Sequence, residues 1–227
     1  MADEFRAFRG GFRDRRAAGR LLGRKLLAAG FAERDAIVLA LPRGGVPVGA
    51  EIARALRAPF DLLLVRKVGA PRQPELAVAA VMEGVDPVVV VDEALCFQLD
   101  VPRSYIERQT RTELAEIERR RRAYLGQRPP VAVVGRSAIV VDDGIATGTT
   151  MRAAIRGLRR REPAHVVVAI PVAPPDAVAL LRGEADDVIC LAQPEAFGAI
   201  GLFYSDFHQL SDDEVVRAIE AATEARM

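Results

Sequence analysis

Between Ser137 and Thr150 the chain reads SAIVVDDGIATGTT, and few folds accommodate that order of residue types. Ala138 to Val141 are apolar and three of them are β-branched, the composition of a strand buried on both faces. Asp142, Asp143 and Gly144 follow, then a run of small hydroxylated residues, Thr147 to Thr150. A helical pattern starts at once, with Met151, Ile155 and Leu158 on one face. A strand that ends in a small-residue loop and opens a helix is a geometry for gripping phosphate. Backbone N–H groups at the helix start have no partners, the dipole favours an anion, and Thr hydroxyls add donors. The two acids would repel an anion unless they hold a sugar's hydroxyls or a magnesium ion. A ribose carrying a 5′-phosphate satisfies both halves of the motif.

The stretch from Ala138 to Thr150 resembles the phosphoribosyl-pyrophosphate (PRPP) signature of type I phosphoribosyltransferases. The resemblance implies that Asp142 and Asp143 hold the ribose and Mg2+ and take part in catalysis. It implies that Gly144, Ile145, Ala146, Thr147, Gly148, Thr149 and Thr150 bind the 5′-phosphate. Ile37 to Leu41 reads as a second strand ending in Pro42-Arg43-Gly44-Gly45, with a helix to follow through Val48, Ile52 and Leu56. Arginine can fork onto phosphate oxygens. In the family the loop after the first core strand binds pyrophosphate, so the resemblance assigns Arg43, Gly44 and Gly45 to it. It also implies a non-proline cis peptide at Pro42–Arg43.

Asp61 to Val65 is read as a third strand running into Arg66 and Lys67, two cations placed where open α/β sheets bind ligands. They resemble the pyrophosphate-side Val-Arg-Lys segment of adenine phosphoribosyltransferases. Val78 to Met82 and Val88 to Val91 suggest an antiparallel hairpin around a Glu-Gly turn. In the family this region carries the mobile loop, where Glu75 and Glu83 are the carboxylates ahead of Asp86. Family members that act on 6-oxopurines carry an acid where this chain has Ala146. That departure argues against the hypoxanthine/guanine subgroup, and for a base that needs proton transfer at nitrogen the hairpin supplies Glu75 as the candidate general acid or base.

The remaining segments frame this core. Phe12 to Ala29 reads as an amphipathic helix with Arg13, Arg15, Arg16, Arg20, Arg24 and Lys25 on a solvated face. Pro102 to Leu125 reads as a long charged helix whose thin stripe (Ile106, Thr110, Leu114, Ile117, Leu125) suits packing across the domain or in a homodimer. Glu113, Glu116 and Glu118 precede its Arg119 to Arg122 run, so it reads as solvated and not as a nucleic-acid surface. His165 to Ile170 and Asp187 to Leu191 are further strands around a helix from Pro175 to Leu181, and His165 is read as structural. The tail gathers Phe197, Phe203, Tyr204 and Phe207 in a chain with nine Phe, three Tyr and no Trp. By the resemblance it forms a hood over the base, with Phe197 or Tyr204 stacking on it.

The expected fold is therefore α/β: a mainly parallel open sheet with helices on both faces. A single domain over 1–227 is expected, with its core at 37–191, a helical insertion at about 102–127 and a hood at about 192–227. Net charge is only +1, which gives no whole-molecule attraction to nucleic acid. No apolar run reaches the ~18 residues that span a bilayer. The start of the chain carries Asp3 and Glu4 in place of an apolar signal region, and Cys96 and Cys190 sit in apolar settings. Reduced core thiols suit a cytoplasmic protein. The activity implied is transfer of the phosphoribosyl group of Mg-PRPP to a nitrogenous base of unspecified identity. The alternative is a PRPP- or nucleotide-sensing regulator on the same fold.

Overall fold

Three strands buried along both of their faces explain why helices cover both sides of the sheet. The computed structural model describes residues 11–83 and 87–224, apart from the side chains of Glu75 and Glu224. A five-stranded parallel sheet has the order β2-β1-β6-β7-β8, from β1 (Ala36–Ala40), β2 (Phe60–Leu62), β6 (Ser137–Val141), β7 (His165–Val172) and β8 (Asp187–Ala192). Every residue of β1 and β6 is buried. Val38, Ala40, Ile139, Val141, Val167 and Ala169 point to a core shared with α1 (Arg15–Ala28), α2 (Gly45–Leu56) and α7 (Asp212–Glu224). Ile37, Leu39, Ala138, Val140, Val166 and Val168 point the other way, onto α5 (Thr149–Arg159) and α6 (Pro175–Arg182). With each buried Val, Leu or Ile contributing about 1.5–3 kcal/mol, both faces must be covered, as the strand composition requires.

A second, antiparallel sheet is formed by β3 (Val65–Ala70), β4 (Gln73–Met82) and β5 (Val88–Val91). The expected β4–β5 pairing is present, from Met82↔Val88 to Ala79↔Val91. The turn between them, with Gly84 and Asp86, lies outside the described residues, as does the side chain of Glu75 in β4. The strand expected over Asp61–Val65 is a correction. β2 stops at Leu62 and the chain enters the hairpin at Val65, so Arg66 and Lys67 sit on an antiparallel strand and not at the end of a parallel one. A short helix, α3 (Glu93–Gln98), escaped the periodicity reading; Asp92 caps it by accepting from Leu95 N–H at 2.9 Å.

Two helices differ from expectation through their charges. α1 begins at Arg15, not Phe12, because the Asp14 carboxylate caps the Ala17 N–H at 2.6 Å. Phe12 is instead extended, bridged to Tyr204. The arginines of α1 are not all solvated: Arg16 and Arg20 are exposed, within reach of the buried Glu51 of α2, but Arg15 is itself buried. α4 (Arg103–Leu125) lies across β3, β4 and α7 of its own chain. Within its basic run Arg121 turns inward. It donates to Glu83 at 2.8 Å and reaches Asp61 at 3.5 Å, with both carboxylates buried. Glu83 also accepts the Leu64 N–H at 3.1 Å. It is an anchor between α4 and the hairpin, not a loop acid.

Burial, the largest influence, holds the Glu83 carboxyl above its ordinary range, while Arg121 pulls it back. Arg121→Met should therefore destabilise the protein by about 3–5 kcal/mol, because it leaves the buried Glu83 without its cation. A raised folded-state pKa means that the native state binds the extra proton, so stability falls as pH rises above the ordinary value of 4.5. The deficit of the variant should shrink as pH is lowered toward 4.5. Urea unfolding of both proteins across that range checks the size and the slope; a deficit that grows on acidification would refute the assignment.

Candidate active site

β1 and β6 run side by side in parallel, Ala36↔Ser137 through Ala40↔Val141, and the Leu41 N–H extends the ladder to the Val141 carbonyl at 2.9 Å. From β1 the chain crosses to β2 on one side; from β6 it crosses to β7 on the other. The loops leaving their carboxyl ends therefore diverge and open a crevice. Open α/β sheets bind ligands at such a switch point. Both loops singled out in the sequence stand there.

The first loop turns through a cis peptide at Pro42–Arg43, as the resemblance implied. Gly45 N–H then donates to the Leu41 carbonyl at 3.0 Å and α2 begins. The loop presses on the acids: a methyl group at Gly44 would overlap the Asp143 carboxylate, and one at Gly45 would lie 2.5 Å from the Val141 carbonyl oxygen. Arg43 leans toward Asp212 at the start of α7, 3.8 Å away.

The second loop carries Asp142 and Asp143. Asp142 is half-buried and accepts the Asp143 N–H at 2.8 Å. It has no cationic partner among the described residues. Asp143 is buried, and its Oδ2 accepts from Arg15 Nε at 2.7 Å. Burial pushes the Asp142 carboxyl well up, and the adjacent charge of Asp143 adds to it. Burial also raises Asp143, with the Arg15 guanidinium pulling the other way. A cation or sugar hydroxyls arriving at Asp142 would relieve both penalties. Adjacent carboxylates are hard oxygen donors and suit magnesium, but no group of three or more ligating side chains exists among the described residues. Those residues thus offer at most part of a magnesium shell.

Past the acids, Gly148 takes the left-handed conformation (φ 77°) that starts α5, with no side-chain cap and no acid in the first turn. Thr147 and Thr149 are exposed, their hydroxyls 3.2 Å apart. That is an uncapped helix start open to an anion. Ile145 is a correction within the loop: its N–H is committed to the Val172 carbonyl at 2.9 Å and its side chain is buried. It supports the loop and offers nothing to a phosphate. Gly144 packs against Ile200 of the tail.

The other sequence candidates divide. Lys67 is exposed and lines a cleft of about 90 Å³ together with Thr149 and Arg152, so the hairpin does reach the phosphate loop. Arg66 is bound at 2.6 Å to Glu113 of α4. Tyr204 cannot stack on a base: its ring is buried between Phe12 and Phe207, and its hydroxyl donates to the Asp143 carbonyl at 2.5 Å. Phe197 is half-buried, stacked on Phe203 at 5.4 Å. Sequence reasoning missed Arg15, which is 128 positions from its partner, and no local pattern marks it. It also missed Arg152, whose place three residues into the helix that opens the phosphate loop was a readable signal. A cavity of about 730 Å³ lies elsewhere, between β5, α3 and α4.

This arrangement matches known proteins. A family model described as a phosphoribosyl transferase domain matches residues 15–208. The chain is 43% identical over 211 residues to a protein of Mycobacterium tuberculosis, found alike in strains CDC 1551 / Oshkosh and H37Rv, that bears the provisional name of phosphoribosyl transferase. That match covers 93% of this chain and 47% of the relative, so the chain spans about half the length of the curated relatives it matches. A crystal structure of TT1426 from Thermus thermophilus superimposes with a TM-score of 0.81 at 42% identity, covering 92% of this chain and 97% of that one. With the family model running from the start of α1 to His208 and the paired acids at the switch point, the chain belongs to the phosphoribosyl transferase domain family.

Proposed function

We propose that the protein transfers the 5-phosphoribosyl group of Mg-PRPP to a nitrogenous base and releases pyrophosphate. The observation that carries this reading is the junction at the switch point: an acid pair, an uncapped helix start beside it, and a glycine loop pressed on the second acid. On this reading a base nitrogen attacks C1 of the ribose, the C1–oxygen bond breaks, and its electron pair leaves with pyrophosphate. Any proton on the attacking nitrogen is lost. Magnesium would enter with PRPP, completing its shell from substrate oxygens beside Asp142 and Asp143, and would supply charge neutralisation for the leaving group.

The protein's own residues divide the work. Ala146 to Thr150 hold the 5′-phosphate with backbone N–H groups and the Thr147 and Thr149 hydroxyls. Arg43, Gly44 and Gly45 face the pyrophosphate end, and Lys67 closes from the hairpin. The ribose gains positive charge as pyrophosphate departs, and the Asp142 carboxylate, which has no cation of its own among the described residues, attracts that charge more than it attracts the ground state. Phe197 is the candidate for stacking on the base. Water would capture the activated sugar, and closure of the hairpin over the site would exclude it. The two buried thiols, Cys96 and Cys190, are free and suit a reducing cytoplasmic setting. None of the described helices is long and apolar enough to cross a membrane.

One observation favours a second reading, a PRPP- or nucleotide-sensing regulator that binds without transfer. Arg66 is held by Glu113 and Arg43 leans on Asp212, so part of the expected pyrophosphate charge is engaged within the protein. Pyrophosphate release over a panel of bases, run beside calorimetric binding of Mg-PRPP, separates the two. Binding with no release from any base supports the regulator; no binding of Mg-PRPP removes the transferase and the PRPP sensor and leaves a nucleotide sensor alone.

Three further outcomes follow from the division of labour. The 5′-phosphate is unchanged during reaction, so Thr149→Val should raise KM for PRPP with kcat nearly intact, the signature of lost uniform binding. Asp142→Asn should mainly lower kcat; weakened PRPP binding with kcat intact would reduce Asp142 to a hydroxyl holder. With Ala146 unable to move a proton, Glu75→Gln should lower kcat by about 10²–10⁴-fold if Glu75 is the general acid or base. A loss under about threefold would leave it outside that range and without the role.

A further inference from the structure

Arg15 is gripped from three sides. Its Nε donates to Asp143 Oδ2 at 2.7 Å, one terminal nitrogen donates to the His208 carbonyl at 3.0 Å, and its guanidinium lies 3.9 Å over the Phe207 ring. Its side chain is 9% exposed and that of Asp143 11%. The backbone that delivers it is equally constrained. Asp14 fixes the first turn of α1, and one turn on, Gly19 has no room for a methyl group against the Val48 carbonyl of α2. Ahead of α1, Phe12 exchanges backbone hydrogen bonds with the tail: its N–H donates to Phe203 and its carbonyl accepts from Ser205. Tyr204, between them, donates its hydroxyl to the Asp143 carbonyl at 2.5 Å.

The N-terminal helix and the tail therefore close on one residue, the second acid of the pair. They hold both its side chain and its main chain. Gly44 also stands against that carboxylate, too close for any side chain. The carboxylate Arg15 bonds is Asp143, although its charge is also felt at Asp142.

We propose that Arg15 is a positioning residue for the ribose site: it orients Asp143 between the two loops and takes up its charge, leaving Asp142 with no bonded cation of its own among the described residues. This rests on the reading of the site as a PRPP site. A buried ion pair is poor evidence for stability alone, since well-packed apolar residues often replace one at no cost. Geometry is what this pair supplies. A guanidinium has a planar fork that fixes direction as well as charge, and Arg15 uses it to tie Asp143 to the tail. Lysine in its place would keep the charge and lose the fork.

The test is a double-mutant cycle read by calorimetric binding of Mg-PRPP, using Arg15→Gln and Asp143→Asn singly and together. If Arg15 acts through Asp143, Arg15→Gln should weaken binding by about tenfold or more in the wild-type background and by less than about twofold in the Asp143→Asn background. Arg15→Lys should recover part of the loss. Circular dichroism and the thermal midpoint establish that each variant is folded, and Arg15→Lys, the least disruptive, carries the comparison if Arg15→Gln is not. Equal losses in both backgrounds would make Arg15 a general structural residue and overturn the inference. No loss in either background would overturn it too. If the wild-type protein binds no Mg-PRPP, it is the reading of the site that fails, and this inference with it.

Discussion

The contact between the Pro42–Gly45 loop and the Asp143 carboxylate depends on two parallel strands ending in register and on a residue with no side chain at position 44. A carboxylate placed that deeply is expensive. Burying an unpaired charge costs several kcal/mol even after the surroundings relax, so the acids must be met by a cation and by hydrogen bonds. Arg15 answers for Asp143, and the Asp143 N–H answers for Asp142. The path of the chain ends follows from this. α1 must bring Arg15 to the carboxyl ends of β1 and β6, and the tail must return over it so that its carbonyl and aromatic face can complete the arginine's surroundings.

The two-sided core does the complementary task of keeping the loops in register. A one-residue slip between β1 and β6 would exchange Val38 and Ala40 with Ile37 and Leu39 across the sheet and move every buried side chain to the wrong face. Because α1, α2 and α7 pack on one face and α5 and α6 on the other, such a slip would disturb both cores at once. The loops at the strand ends inherit that rigidity while remaining loops, the usual division between scaffold and chemistry.

Much of this was legible in the residues. Ile37–Leu41, Ala138–Val141 and His165–Ile170 declare buried strands by composition alone, and the Asp142 to Thr150 order declares the phosphate-gripping turn. Local signals also gave the hairpin and the span of α4. What could not be read is which charges leave the surface. Arg15, Arg16 and Arg20 have the helical spacing of a solvated face, yet Arg15 pairs with a residue 128 positions away, and Arg121 hides inside a run of four arginines. Periodicity reports which face of a helix is apolar; it says nothing about a carboxylate that another element has buried opposite. The same limit explains Tyr204. Its aromatic character suggested stacking on a base, but its hydroxyl found a buried carbonyl, which commonly decides the place of an enclosed tyrosine.

The cations around the crevice fall into two kinds, and the difference is one of exposure. Arg43 with Asp212, Arg66 with Glu113, and Arg152 and Arg156 with Glu184 are pairs whose arginines lie between a third and a half exposed. Such pairs are worth about 0–1 kcal/mol each and are screened by salt. A phosphate group offers stronger, charge-assisted hydrogen bonds to the same guanidinium, so these arginines can exchange a carboxylate for a ligand at little cost. Arg15 and Asp143, at 9% and 11% exposure, cannot, because parting them leaves two buried charges without partners. On the proposed function the surface pairs are a reserve of positive charge that an arriving pyrophosphate could recruit, whereas the buried pair stays closed through the reaction. That asymmetry leaves Asp142, half-buried and without a cationic partner among the described residues, as the one acid whose electrostatic state the ligand must change.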